Sequence, residues 1–211
     1  MVKTGKMVNF WYSDATIFDS VELMKSITSL FIALFLLSGC ASKAPTHISL
    51  NPTLPQVSQQ TDSVVSLMLN TVDARKDAAV VRFIEEGKII RAVSLGEPIA
   101  KQLNQLYRQG MTQSGYQIDP AATNSLQFQV AHVQTDVIDT TFGYDTKTRI
   151  SITALAKNAH KTLTKNYNVR GTNEGAFSPD FATLELEFNK LLAELNQQIL
   201  NDPELHQFLQ Q

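Results

Sequence analysis

The residue in this chain whose chemistry can be read from its type and position is Cys40, the single cysteine among 211 residues. A lone thiol cannot form a disulfide within the chain, and it cannot build a thiolate zinc site, which needs several cysteines. Other catalytic signatures are missing from the sequence: it holds no G-x-S-x-G elbow, no H-E-x-x-H pair and no glycine-rich phosphate loop. His47, His132, His160 and His206 are scattered over elements that have no reason to converge, so no metal site and no cofactor is expected. Glu85 and Glu86 read as a solvated turn rather than an acid pair, and no catalytic residue is assigned. Asp73 and Arg75 close the first strand, either as a binding pair or as a structural ion pair, and the second reading is favoured.

The context of Cys40 is specific. Met24 and Lys25 precede an apolar run over residues 27–37, which is followed by Ser38, Gly39 and Cys40. A basic start, an apolar stretch and a small-residue end make a secretory signal. As a helix the run would reach about 16 Å, short of the ~30 Å hydrocarbon core of a bilayer. It has no polar face and is followed by a proline-rich stretch, so it does not suit a core helix either. Leu37-Ser38-Gly39-Cys40 resembles the lipobox of bacterial lipoproteins. That resemblance implies cleavage between Gly39 and Cys40 and a diacylglycerol on the thiol. A third acyl chain would follow on the freed amine. Two or more chains anchor stably, at roughly 0.8 kcal/mol per buried CH₂. Ala41 in place of Asp after the cysteine implies the outer membrane, with the domain facing the periplasm. Residues 1–39 are therefore read as signal peptide. Trp11, Asp14, Asp19 and Glu22 suit an n-region poorly, which points to an overextended start and to Met24 as initiator.

Formal net charge is -2 and the pI near 6.1, which excludes a generally basic nucleic-acid-binding surface. Residues 40–62, rich in Ser, Thr, Pro and Gln, read as the lipidated cysteine and a tether of up to ~65 Å. The alternative is that residues 48–54 pack along the domain as an edge segment. From residue 63 to 211 one domain is expected. Residues 64–72 read as a central strand buried on both faces. Two strands flank a Glu85-Glu86-Gly87 hairpin turn. Ile99, Leu103, Leu106, Tyr107 and Met111 stripe a helix running from Pro98 to Gly115. Three alternating strands follow: one carries Leu126, Phe128 and Val130, one spans residues 148–156, and one carries Leu163, Tyr167 and Val169. Ser178 and Pro179 would open a second helix along Leu184, Phe188, Leu192, Leu195 and Ile199. Asp202-Pro203 would start a short last one. The expected class is α+β: a two-layer sandwich with a mixed, mostly antiparallel sheet and two amphipathic helices on one face.

These features share an order and spacing with a known family. The lipobox, Asp73 with Arg75, the Gly115-Tyr116 helix stop, and Thr164-Lys165-Asn166-Tyr167 followed by Glu174-Gly175-Ala176-Phe177 together resemble the YajG-type lipoproteins of gammaproteobacteria. The resemblance runs over nearly the whole mature chain and departs before Met24. It implies an outer-membrane lipoprotein and assigns it no reaction.

The remaining candidate surface is aromatic. Phe142 and Tyr144 sit at an expected hairpin tip with no pattern to bury them, and Phe177 leads into the second helix, where it docks a partner or staples the helix start. The expected function is a non-enzymatic, lipid-anchored module that docks an envelope protein through Phe142, Tyr144 and Phe177. Two rivals stand beside it: a carrier of lipid or another small ligand in a helix–sheet groove, and an envelope hydrolase. No nucleic-acid partner is expected, and the sequence leaves the oligomeric state open. Replacing the acceptor thiol, Cys40→Ser, should abolish incorporation of a clickable fatty acid and release the domain from the membrane fraction. Retained labelling would overturn lipidation at this residue.

Overall fold

The computed structural model describes residues 46–61, 64–177 and 179–211. Cys40, its bond to Gly39 and the expected cap Ser178 lie outside them. The scaffold is a three-stranded meander of β6 (Ser125–Thr140), β7 (Gly143–Lys157) and β8 (Thr162–Ala176), paired antiparallel over their full lengths. The β7–β8 turn is set by Asn158, whose side chain accepts hydrogen bonds from the His160 and Lys161 amides at 3.0 and 2.8 Å.

The other edge of β6 serves two strands in succession. β2 (Val65–Asp73) runs parallel to its first half, from Met68 beside Ser125 to Asp73 beside Val130. β3 (Ala79–Glu85) runs parallel to its second half, from Val81 beside Thr135 to Ile84 beside Ile138. β4 (Lys88–Leu95) returns antiparallel along β3 through a two-residue turn. Glu86 and Gly87 both have positive φ, 49° and 77°, the requirement of a type I′ turn. Two short strands complete the sheet: β1 (His47–Ile48) beside the end of β4, and β5 (Tyr116–Ile118) beside the start of β2.

The α+β class is as expected, but the layer differs in form. Eight strands curl into a half-barrel, and four of the seven pairings are parallel. The parallel pairing of β2 with β6 follows from a connection that carries a helix and so brings the chain back in the same direction. β2 is also not buried on both faces. Leu67 and Leu69 point inward, whereas Met68 is 42% exposed, because the described helices cover only one side of the sheet. Residues 46–61, expected within the tether, lie on the domain instead. Ile48 is fully buried, Leu50 nearly so, and Leu54 and Val57 pack against the core. The edge-segment alternative is the one that the chain adopts there.

α1 (Ile99–Gln113) packs on β2 and β5, and α2 (Phe181–Leu200) on β8 and β7. Their apolar stripes are the expected ones, and Ile99, Leu103, Tyr107, Phe188, Leu192 and Ile199 are all essentially inaccessible. Each such side chain contributes roughly 1.5–3 kcal/mol by leaving water. The N-cap of α2 is Asp180: its carboxylate accepts from the Thr183 amide, and this hydrogen bond holds the carboxyl below the usual range. Pro179 therefore precedes the helix.

α3 (Pro203–Leu209) begins as expected at Asp202-Pro203, with the Asp202 carboxylate accepting from the Glu204 and Leu205 amides. The same carboxylate accepts from the Tyr167 hydroxyl at 2.7 Å and pairs with Lys165 at 2.6 Å. Burial opposes its charge, but the hydrogen bonds from Lys165, Tyr167 and Leu205 outweigh burial and keep it ionised. The Thr164–Tyr167 motif thus pins α3 to β8.

Further along α3, His206 is 2% exposed. Its Nε2–H donates to the Leu200 carbonyl at 2.9 Å, which leaves Nδ1 to accept from the Tyr116 hydroxyl at 3.0 Å. Burial lowers the pKa of this ring, more than the Leu200 carbonyl and Asp202 raise it. In the unfolded chain the ring protonates near 6.5, while the folded ring resists until a lower pH. Stability contributed by the neutral ring is therefore complete above pH 6.5 and falls as pH drops toward the folded value. The His206 share of that loss cannot exceed about 1.4 kcal/mol per pH unit. Denaturant midpoints measured across this window should fall less steeply in His206→Gln than in the parent. Parallel curves would exclude His206 as the titrating group.

Candidate interaction surface

The β6–β7 turn consists of Thr141 and Phe142, and one step beyond the last β7–β8 pair, Gly143 with Ala176, stand Phe142 and Phe177. Both rings face solvent, at 92% and 88% exposure. Phe177 is not a staple onto α2. Its backbone has φ of 64°, a left-handed conformation that costs a residue with a Cβ about 1–2 kcal/mol. That cost returns no burial of the ring.

Tyr144 departs from expectation, being only 8% exposed. Its cross-strand partner is Gly175, and a Cβ built there would lie 2.7 Å from the tyrosine ring and hydroxyl. The ring therefore lies across the glycine, in the space that a side chain would fill, and Tyr144 supports the tip from beneath. Gly143 is equally constrained, since a Cβ there would meet the Gly175 carbonyl at 2.0 Å. Below this level the inward positions turn polar. Thr135 and Thr148 share a hydrogen bond of 2.7 Å, and Thr146 both accepts from the Asn173 amide and donates to its carbonyl.

More apolar surface collects at the same end. Because β3 runs parallel to β6, the Glu86-Gly87 turn reaches the same side of the sheet as the Phe142 turn. Just past it, Ile89 and Ile90 are 55% and 58% exposed. Two consecutive apolar residues in a strand cannot both face inward, and that was the available signal for an outward isoleucine. Phe83 and Phe181 stack nearby at 6.5 Å, with the Arg91 guanidinium 5.2 and 5.1 Å from their centroids, fastening the β3–β4 hairpin to the start of α2.

Aromatic packing joins the first helix to the sheet. Tyr107 packs against Phe128 with ring centroids 4.1 Å apart, and its hydroxyl donates to Asn196 at 2.9 Å. Of the other residues considered from sequence, Asp73 and Arg75 form a two-pronged ion pair at 2.9 and 2.8 Å. Among the described residues no helix is long and apolar enough to cross a membrane, and no three His, Cys, Asp or Glu side chains converge as metal ligands would.

The fold is thus an α+β domain with a packed core and an apolar end. Residues 52–210 match the family model described as "Uncharacterized lipoprotein", and the chain belongs to that family. It is 31% identical over 193 residues to the "Uncharacterized lipoprotein YajG" of Escherichia coli K12, covering 90% of this chain and 98% of that protein. The match to the protein of that name in E. coli O6:H1 has the same extent. Among solved structures, a protein from Xanthomonas campestris aligns with a TM-score of 0.48 at 14% identity, over 75% of this chain and 92% of that one. A putative neuraminyllactose-binding hemagglutinin homolog from Helicobacter pylori aligns at 0.41 and 8% identity, over 77% and 97%.

The Tyr144–Gly175 contact is open to test. Gly175→Val should force the ring off its seat and lower stability by about 1–3 kcal/mol, read from urea unfolding. Adding Tyr144→Ala should recover part of that loss, whereas strictly additive effects would show that the ring and the glycine do not interact.

Proposed function

We propose that this protein is an outer-membrane lipoprotein, anchored through acyl chains on Cys40, whose periplasmic domain is non-catalytic and docks an envelope protein by its apolar end. The observation that carries the reading is the pair Phe142 and Phe177, both almost fully exposed, the second on a strained backbone. A strained conformation that presents an unburied aromatic gives the fold no stability, and exposed aromatics with apolar neighbours commonly anchor interfaces. Ile89 and Ile90 extend the patch. Tyr144 holds the tip in shape rather than touching the partner.

Photoreactive residues placed at positions 142 and 177 in cells should crosslink to one reproducible envelope protein. The sharper variant is Phe177→Gly. Glycine accepts positive φ freely, so stability should stay level or rise by up to about 1 kcal/mol while the crosslink from position 142 is lost. A partner still captured at full yield by a stable Phe142→Ser, Phe177→Gly double variant, probed from Ile90, would end this reading.

A further inference from the structure

A second surface feature lies away from the apolar end, where the β6 edge passes from β2 to β3. The parallel ladder stops at Asp73 with Val130, and resumes at Val81 with Thr135. β6 bulges between Val130 and His132, and the β2–β3 connection steps around the gap. The result is a cleft of about 490 Å³ lined by Arg75, Lys76, Arg82, His132 and Gln134, among others.

Two arginines in this cleft are held in the same way. The Asp73 carboxylate takes Nε and Nη2 of Arg75, and the Asp136 carboxylate takes Nε and Nη2 of Arg82, with all four contacts between 2.7 and 2.9 Å. Each guanidinium therefore spends its side-on edge on an aspartate and keeps three N–H groups, on Nη1 and Nη2, for other acceptors. The Arg75 side chain is only 10% exposed, and its buried Nη1 has no hydrogen-bond partner among the described residues. A buried charged donor without an acceptor is costly, so the site is short of an acceptor.

The surroundings are positive. Gln134 stands beside Arg149 across β6 and β7, and Arg149 stands directly opposite Arg170 across β7 and β8. Neither of these two makes an ion pair among the described residues. Burial first, then the charges of Arg149, Arg82 and Arg75, hold His132 below its ordinary pKa against the pull of Asp136. Asp77 is the remaining acid of the cleft, and its carboxylate caps the Ala79 amide at 2.9 Å.

From this arrangement we infer that the cleft is a binding site for a phosphate group, held by the exposed Lys76 and the guanidinium groups of Arg75 and Arg82, with His132 beside them. The donor geometry selects the ligand. The side-on edge of each arginine, a favoured seat for a planar carboxylate, is already taken by Asp73 and Asp136. What remains are the other guanidinium N–H groups and a point-charge ammonium, approaching from different elements. Such a set suits a tetrahedral group with several oxygens, each accepting one bond. A free phosphate ester and a phospholipid headgroup share that chemistry. The inference does not depend on docking through Phe142 and Phe177.

The test uses the full lipidated chain in uncharged maltoside micelles. Equilibrium binding is measured with inorganic phosphate, glycerol phosphate, short-chain phosphatidylglycerol and glutarate as probes. The expected result is saturable uptake of phosphate or a phosphate ester, weakened about tenfold or more by Arg75→Gln and by Lys76→Gln. Lys76 is exposed and makes no described hydrogen bond, so its variant reports on binding even where loss of Arg75 disturbs the fold. Preference for glycerol phosphate supports a soluble ester as the source, and preference for phosphatidylglycerol supports a headgroup. Non-saturable uptake, equal binding of glutarate, or affinity unchanged in Lys76→Gln and a folded Arg75→Gln would overturn the assignment.

Discussion

Everything else in the domain is registered against one strand. β6 is paired over its full length with β7 on one edge, and on the other it takes β2 and then β3. Its inward residues Leu126, Phe128, Val130, Val133 and Val137 are the floor on which the helices rest. A strand that must serve two partners in succession cannot keep an unbroken ladder on that edge. The bulge near Ala131 and the cleft beside it are the geometric remainder of that demand. The same register sends the β3–β4 and β6–β7 turns to one end of the sheet. Apolar end and basic cleft are thus two products of how β6 is shared.

The polar contacts within the fold divide into those that close the structure and those that leave donors to spare. Asp202 closes it: it caps α3 and gathers Lys165 and Tyr167, so the last helix is tied to the outermost long strand. Tyr107 with Asn196 and Tyr116 with His206 do the same inside the core, each hydroxyl reaching a partner that burial would otherwise make expensive to omit. The Arg75 and Arg82 clamps are of the other kind, because each satisfies its aspartate while leaving one guanidinium nitrogen uncommitted.

The helices and the meander were legible because their patterns are one-dimensional. Leu184, Phe188, Leu192, Leu195 and Ile199 declare a helical face from their spacing, and Ile150, Ile152 and Ala154 a strand face. Hidden were the features that depend on what lies opposite. Met68 belongs to an apolar run yet faces outward, since the described layers cover one side only. Tyr144 read as exposed because the glycine that seats its ring is 31 residues away in the chain. β5 is too short to show alternation, and Ile48 and Leu50 lie in a proline-rich stretch whose composition outweighs two apolar residues. The family resemblance was carried by ordered motifs and agrees with the relatives found. Arg82, His132 and Arg149 are far apart in sequence, and only the register brings them together.

Among the described residues β8 is the long strand with a partner on one side only, and its 15 residues contain neither a proline nor a register shift against β7. Such an edge invites another strand, and proteins usually blunt it. Lys165 offers little deterrent, because Asp202 and Glu204 hold it. Of the other two charges on the strand, Glu174 lies near its end and Arg170 next to its midpoint. Two copies meeting antiparallel and centred on one another would bring their Arg170 side chains close together, charge against charge. The edge is therefore self-averse near its centre while staying receptive to a strand that carries an acid at that position.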